Sequence, residues 1–463
     1  MAMTIEVFES LIRKLERSTP ATVMTSLIAE RAFSAPALDQ LFDASADRQY
    51  TKELLFSLMV KLMLSVVTGI NPSVNQAIER NREEIQTSKK AVYEKLAHME
   101  PGVSEQLVMH VAHRCTELVE AMPGALLPSV FGAIPAVIVD GNAIAASERR
   151  LAVSRNVSAA PMPGKAVVLL DPQRMLIRKI IAEPDGHASE ISRPQEVIDL
   201  VPPGHCIIAD RLYCTRALII GWIDRSAYVL VRENSVSRAQ QLNEPALVGS
   251  VDGDEIYEQE AQFLDEKFFP RRLRRIVIEL AVPTRDKSTR IVLLTNLPST
   301  VDAMTVAQGY RSRWTVEKVF GAMDLCFNGE ITSLAQPRAA LFALSVACCA
   351  FNVLSTLKAS IRSAHGTQAA EELSEFAVTT DVASWWNGAR LVLAAALVGR
   401  WNDATVQDVA AELLRLATAF NLRWFRKAKR GPKKPKPKLK HDPEKPHVST
   451  HRLLQRKKRQ NAK

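Results

Sequence analysis

The spacing of apolar and polar residues changes character along the chain. Up to about Pro128 it is helical: Leu54, Leu55, Leu58, Met59, Leu62 and Met63 recur every three or four positions, and Gly69 and Pro72 break the run. Another helix is predicted from Thr87 and Ser88, hydroxyl residues suited to cap an N-terminus, through Lys89, Lys90 and Val92 to Leu96. With the preceding segment 73–84 it reads as a helix-turn-helix that lays Lys89 and Lys90 on DNA, or as a plain helical hairpin with a solvated basic end.

From Ala136 the pattern becomes that of strands. The apolar, β-branched runs AVIVD, KAVVLLD and MLIRKIIAE are separated by the turns Pro163-Gly164 and Asp171-Pro172, which predicts an antiparallel meander. A helix at PQEVIDLV, a strand at HCIIAD, a helix at TRALIIGWID and a strand at YVLVRE follow. Three strands, helix, strand, helix, strand is the order of a ribonuclease H-like sheet. In that fold the first and fourth strands are neighbours, so Asp140 and Asp210, each ending one of them, should meet at one edge.

About seventy residues separate this unit from the next helix, and EIYEQEAQF, RRIVIELAV and RIVLLTNL alternate like exposed strands. They predict an inserted β-rich subdomain. The helix that follows carries YRSRWTVEKVF, and on one continuous helix Tyr310, Arg313, Trp314 and Glu317 share a face. The apolar stretch beginning at Ala339 is long enough to raise a membrane span, but Asn352 interrupts it and a polar helix lies close before it, so it is read as a buried core helix. The expected architecture is a multidomain α+β and α/β chain: residues 1–128 a helical DNA-end-binding domain, 129–232 the first part of a ribonuclease H-like core, 233–304 the insert, 305–422 the second part of the core with further helices, and 423–463 a basic tail.

Charge adds a partner. The chain is +10 at pH 7, yet residues 423–463 hold 17 Lys and Arg against 2 Asp and Glu, a surplus of 15 that leaves the remainder at −5. A near-neutral body with a polycationic end suits a polyanion, since each cation that meets a phosphate releases a condensed counterion. The Lys/Pro alternation at 430–447 cannot bury a core and is read as extended when free. Six cysteines without a CxxC pair, and an amphipathic start without a signal-peptide core, point to a reducing, cytoplasmic setting with no membrane partner.

Three carboxylates on two strands and a helix suit phosphodiester chemistry. Asp140 bridging two Mg2+ ions, with Asp210 and Glu317 each supporting one, leaves room for waters and phosphate oxygens; Mn2+ is the expected substitute, and no histidine base is needed.

Around these residues the chain resembles the DDE transposases of bacterial insertion sequences, particularly the insertion sequence four family. The likeness lies in VDGNAI at Asp140, MPGKAVVLLDP, ADRLY at Asp210, the Tyr-x2-Arg-x3-Glu pattern at Tyr310, Arg313 and Glu317, and KPHVSTHRLL near the end. It implies catalysis by Asp140, Asp210 and Glu317 on two magnesium ions, with cleavage at terminal inverted repeats and joining of the freed 3′-hydroxyls to target DNA. It further implies phosphate contacts from Tyr310 and Arg313, base stacking by Trp314 and a homodimer on double-stranded DNA. Where the family pattern has a lysine seven residues after the glutamate, this chain has Asp324. The insert has no tryptophan to push a base out, and Phe268 or Phe269 are its substitutes. The alternatives are a nuclease of the same fold without strand transfer, and a catalytically impaired relative that only occupies DNA.

Overall fold

Where the pattern changes at Ala136, helices give way to one large sheet. The computed structural model describes residues 16–49, 53–284, 287–389, 401, 404–427 and 447–462. Its strands are β1 (Ala136–Ala143), β2 (Pro161–Met162), β3 (Lys165–Asp171), β4 (Leu176–Glu183), β5 (Cys206–Ala209), β6 (Tyr228–Arg232), β7 (Gln240–Gln241), β8 (Ala246–Val251), β9 (Asp254–Leu264), β10 (Pro270–Glu279), β11 (Arg290–Thr295) and β12 (Val448–Ser449).

The sheet runs β4-β3-β1-β5-β6-β11-β10-β9-β7, with β8 also on β9. β1 is antiparallel to β3 and parallel to β5, and β5 is parallel to β6, as the predicted strand order requires. Along β1 the side chains alternate between two cores: Ile138 joins Val168, Ile208 and Leu230 on one face, while Val137 and Val139 join Leu169, Ile207 and Val231 on the other. Burial on both faces is why these strands read as unbroken apolar runs. The helices Pro194–Leu200 and Arg216–Asp224 supply the second core.

The first core centres on the helix Pro337–His365, whose apolar stretch is wholly buried, as fits the core helix expected there. Around it pack β4 and the helices Pro20–Ala32, Phe56–Val67, Pro101–Ala121 and Val406–Thr418, all sharing one apolar cluster. The stripe expected from Leu54 begins later than predicted: the helix starts at Phe56, and Leu55, its N-cap, is exposed. Asn352, which interrupts the apolar stretch but not the helix, clamps the free edge of β4. Its Oδ1 accepts the Ile177 N–H at 2.8 Å and its Nδ2 donates to the Ile177 carbonyl at 2.9 Å. Five residues along the same edge, Glu105 accepts the Ala182 N–H at 2.7 Å and Arg193 donates to the Ala182 carbonyl at 3.2 Å. An edge strand covered by helices must have its backbone groups met in this way.

The strands between Arg232 and Ala303 continue the core sheet through β6 and β11, which pair antiparallel at Leu230–Thr295 and Arg232–Leu293. The alternating strands at 233–304 are thus continuous with the core sheet. Glu233 and Arg275 seal the join as a buried ion pair, with Arg275 Nε and Nη2 at 3.1 and 3.0 Å from Glu233 Oε2.

Beyond Leu422, where no element was expected, β12 pairs in parallel with β2 and leads into the helix Thr450–Asn461, held by Arg452 on Asp185 at 2.7 Å. Nearly all of the Lys/Pro segment predicted to be extended lies outside the described residues.

Two predictions concern the β4 edge. Asn352→Leu, which orphans both Ile177 backbone groups, should lower unfolding free energy by about 2 to 5 kcal/mol in urea titrations. Burial pushes the Glu105 carboxyl up to about 7, against the opposing pull of the Ala182 N–H and Arg193. The folded state therefore holds a proton that the unfolded chain releases near the ordinary value of 4.5. This contribution to stability is full below that value and lost as pH rises to about 7, by about 3 kcal/mol at most. In Glu105→Gln the decline of stability across that window should flatten.

Candidate active site

Parallel pairing sets the first two acids side by side. Ile138 is level with Ile208, so two residues further along each strand Asp140 and Asp210 emerge together at the same end. Asp140 Oδ1 accepts the Gly141 N–H at 2.9 Å. Asp210 Oδ1 accepts the Leu212 N–H at 2.7 Å and so caps the short 3-10 helix Arg211–Tyr213.

The third arm departs from the single helix expected over 310–327. The helix Ala303–Arg311 ends, two residues form a turn, and the helix Trp314–Cys326 begins. There the backbone shortens its hydrogen bonds: Ser312 N–H donates to Gly309, Arg313 to Tyr310, Thr315 to Ser312 and Val316 to Arg313. Such i to i−3 bonding tightens the helix without any Gly or Pro at the break itself, so the sequence carries no punctuation for it. Tyr310, buried at 7% exposure, and Trp314, at 56%, consequently point into different surroundings although they were assigned one face.

Arg313 joins the arms. Its Nη1 is 3.4 Å from Asp140 Oδ2, its Nη2 is 2.9 Å from Glu317 Oε1, and its guanidinium lies 5.0 Å from the centre of the Trp314 ring. Burial opposes its charge, but Tyr310, Glu317 and Asp140 outweigh that and raise its proton affinity. Burial lifts Asp140 to about 6; Arg313 and the Gly141 N–H pull it back, while Asp210 and Glu190 push it further up. Burial likewise moves the Tyr310 phenol to about 12, with Arg313 and Arg232 acting in the opposite sense.

Glu190, in the loop after β4, is an acid that pattern reading did not single out. No period governs that loop, and a lone glutamate in HASEISRP gives no signal. It accepts the Tyr213 hydroxyl at 2.9 Å, and its carboxyl is raised by burial and by Asp210, against Tyr213 and Lys165.

Of the residues singled out in the sequence, Asp140, Asp210, Tyr310, Arg313 and Glu317 come together, and Trp314 stands exposed beside them. Lys89 and Lys90 are engaged elsewhere, Lys89 with Glu79 and Lys90 with Glu94 at 3.7 Å. Ser88 caps their helix through the Ala91 N–H, as its hydroxyl predicted. Asp324 is exposed and acts on the half-buried Glu330, whose carboxyl burial raises first and Asp324 second. The β10–β11 and β6–β11 registers send Pro270 away from the acidic edge, so Phe268 and Phe269 lie at the opposite end of the strands and cannot push a base out there.

Among the described residues no three His, Cys, Asp or Glu side chains are gathered into a ready-made cation site. The donors nevertheless suit a hard divalent cation, being carboxylate oxygens. Asp140 and Glu317 already share one positive partner, the Arg313 guanidinium.

Residues 134–353 match the family model of the transposase DDE domain, from the start of β1 into the long core helix. The match supports a DDE transposase, a nucleic-acid-cleaving enzyme acting on DNA, whose domain is in general dependent on a divalent metal. No curated protein matches the chain.

Because Arg313 holds Asp140 down, Arg313→Ala should move the Asp140 carboxyl above its present value of about 6. Carboxyl carbon shifts followed by NMR against pH, without added metal, check the direction.

Proposed function

We propose that this chain is an insertion-sequence transposase of the insertion sequence four family that binds terminal inverted repeats, cleaves at their ends and joins the 3′-hydroxyls to target DNA. The observation that carries the reading is the convergence of Asp140 and Asp210, from adjacent parallel strands, with Glu317 through the shared Arg313. Asp140, Asp210 and Glu317 are the residues to hold two Mg2+ ions, or Mn2+, which when bound activate an oxygen nucleophile and stabilise the leaving oxygen.

The chain's own groups do the rest. The Arg313 guanidinium offers a planar fork to a phosphate once it exchanges a carboxylate for DNA, and the Tyr310 hydroxyl, kept protonated by burial, donates a hydrogen bond to the backbone near the cleaved end. Exposed Trp314 presents a π-face on which a base can stack. Lys89 and Lys90 at the start of their helix, and the cations of 423–463, add salt-dependent contacts to the duplex. Two ends have to be held together before joining, which calls for a homodimer on DNA. A catalytically impaired relative that only occupies DNA is the second reading, favoured by one observation: exposed Asp324 puts negative charge where a phosphate-binding lysine is expected.

The test uses the full chain with duplex oligonucleotides taken from repeats flanking its gene. Mg2+-dependent nicking at the repeat ends, and joining of precut ends to a plasmid, are expected for the wild type; Asp140→Ala should fall to background in both. Cleavage by Asp140→Ala at the wild-type rate sinks the proposal, and nicking without joining selects the nuclease.

A further inference from the structure

The loop between β4 and the helix Pro194–Leu200 carries a fourth carboxylate to the edge where β1 and β5 end. Two contacts fix Glu190 there, and a third braces them. Its Oε2 accepts the hydroxyl of Tyr213, a side chain with no exposed surface. Its carboxyl lies against Gly141: a Cβ built at that position would stand 2.1 Å from Glu190 Cδ and 2.2 and 2.4 Å from the two oxygens. Gly141 follows Asp140 directly, and its φ is not in the left-handed region, so what a side chain lacks here is space. Asp210, finally, caps the short turn that holds Tyr213 in place. The contacts form a chain from Asp140 through Gly141, Glu190 and Tyr213 to Asp210.

A structural anchor for the Tyr213 hydroxyl needs no charge. An amide or a backbone carbonyl would accept that hydrogen bond without adding a negative group beside two others, an arrangement that desolvation and like-charge repulsion both disfavour. Such a cost is expected where the charge is put to use. Resting on the reading given under Proposed function, we propose that Glu190 is a positioning residue of the acidic centre. Held by Tyr213 and seated on Gly141, it sets the separation and the combined charge of Asp140 and Asp210, and so the affinity of the site for a divalent cation. The same chain of contacts assigns work to two residues of the motifs, the glycine of VDG and the tyrosine of DRLY.

The experiment measures Mn2+ binding to the full chain without DNA, by the loss of the free-ion paramagnetic resonance signal, alongside thermal unfolding without metal. Wild type, Asp140→Ala, Glu190→Gln and Tyr213→Phe are compared. Glu190→Gln should weaken Mn2+ binding about tenfold or more, in the range seen for groups that orient metal ligands, while its unfolding midpoint stays at or above that of the wild type. Tyr213→Phe, which releases the carboxylate but keeps it, should weaken binding by a smaller factor. A folded Glu190→Gln protein that binds Mn2+ like the wild type overturns the inference, while loss of binding in Asp140→Ala leaves the reading of function standing. A wild type that binds no Mn2+ overturns both. If Glu190→Gln does not fold, Tyr213→Phe decides, and unchanged affinity in that variant overturns the inference.

Discussion

Carboxylates gathered at one edge of a sheet raise one another's energy, and here the strands on which two of them stand allow no retreat. Asp140 follows Val139, and Asp210 follows Ala209; both of those residues are fully buried between the sheet and its helices. The groups must therefore be reconciled where they are. Arg313 does this from the third arm, by touching Asp140 and Glu317 at once, while the Gly141 and Leu212 N–H groups satisfy one oxygen on each aspartate. The tightened turn before Trp314 belongs to the same arrangement, since it determines where Arg313 reaches from.

The large apolar framework serves to keep that edge in register. The apolar stretch of the helix Pro337–His365 is wholly buried, and a membrane-like composition is what such a position demands of a helix surrounded by protein on all sides. Asn352 is the exception that the composition could not explain, and its purpose lies 175 positions away in sequence, on the backbone of Ile177. Glu105 and Arg193 extend the same seal on β4, so the outermost strand of the core is closed by side chains where a further strand would otherwise pair.

The strand order and both aspartates were legible because burial on two faces writes itself as β-branched runs, and a carboxylate ending such a run stands out. Arg313 and Glu317 were legible as neighbours four apart, a spacing that survives because Arg313, in the turn, keeps helical angles as the N-cap of the helix that carries Glu317. What the sequence hid has physical reasons. The helix break at Ser312 uses ordinary right-handed backbone angles, Glu190 sits in an aperiodic loop, and β12 is two residues long within a lysine-rich stretch. The strands after Arg232 alternate in the same way whether they form a sheet of their own or extend another, and only the β6–β11 pairing distinguishes the two.

That pairing makes the β9–β10 hairpin a long arm of the core sheet. At its acidic-edge end, Arg311 grips Asp254 at 2.9 Å and Asp252 beside it, two residues before Arg313. At the other end, roughly 30 Å away at the usual rise of an extended chain, Phe268 and Phe269 stand in solvent at 79% and 62% exposure. The ladder to β11 holds the half of the hairpin nearer the acidic edge, with the buried Arg275–Glu233 pair stiffening it. One continuous hairpin thus spans from the ion pairs beside the turn that carries Arg313 to an apolar tip in solvent.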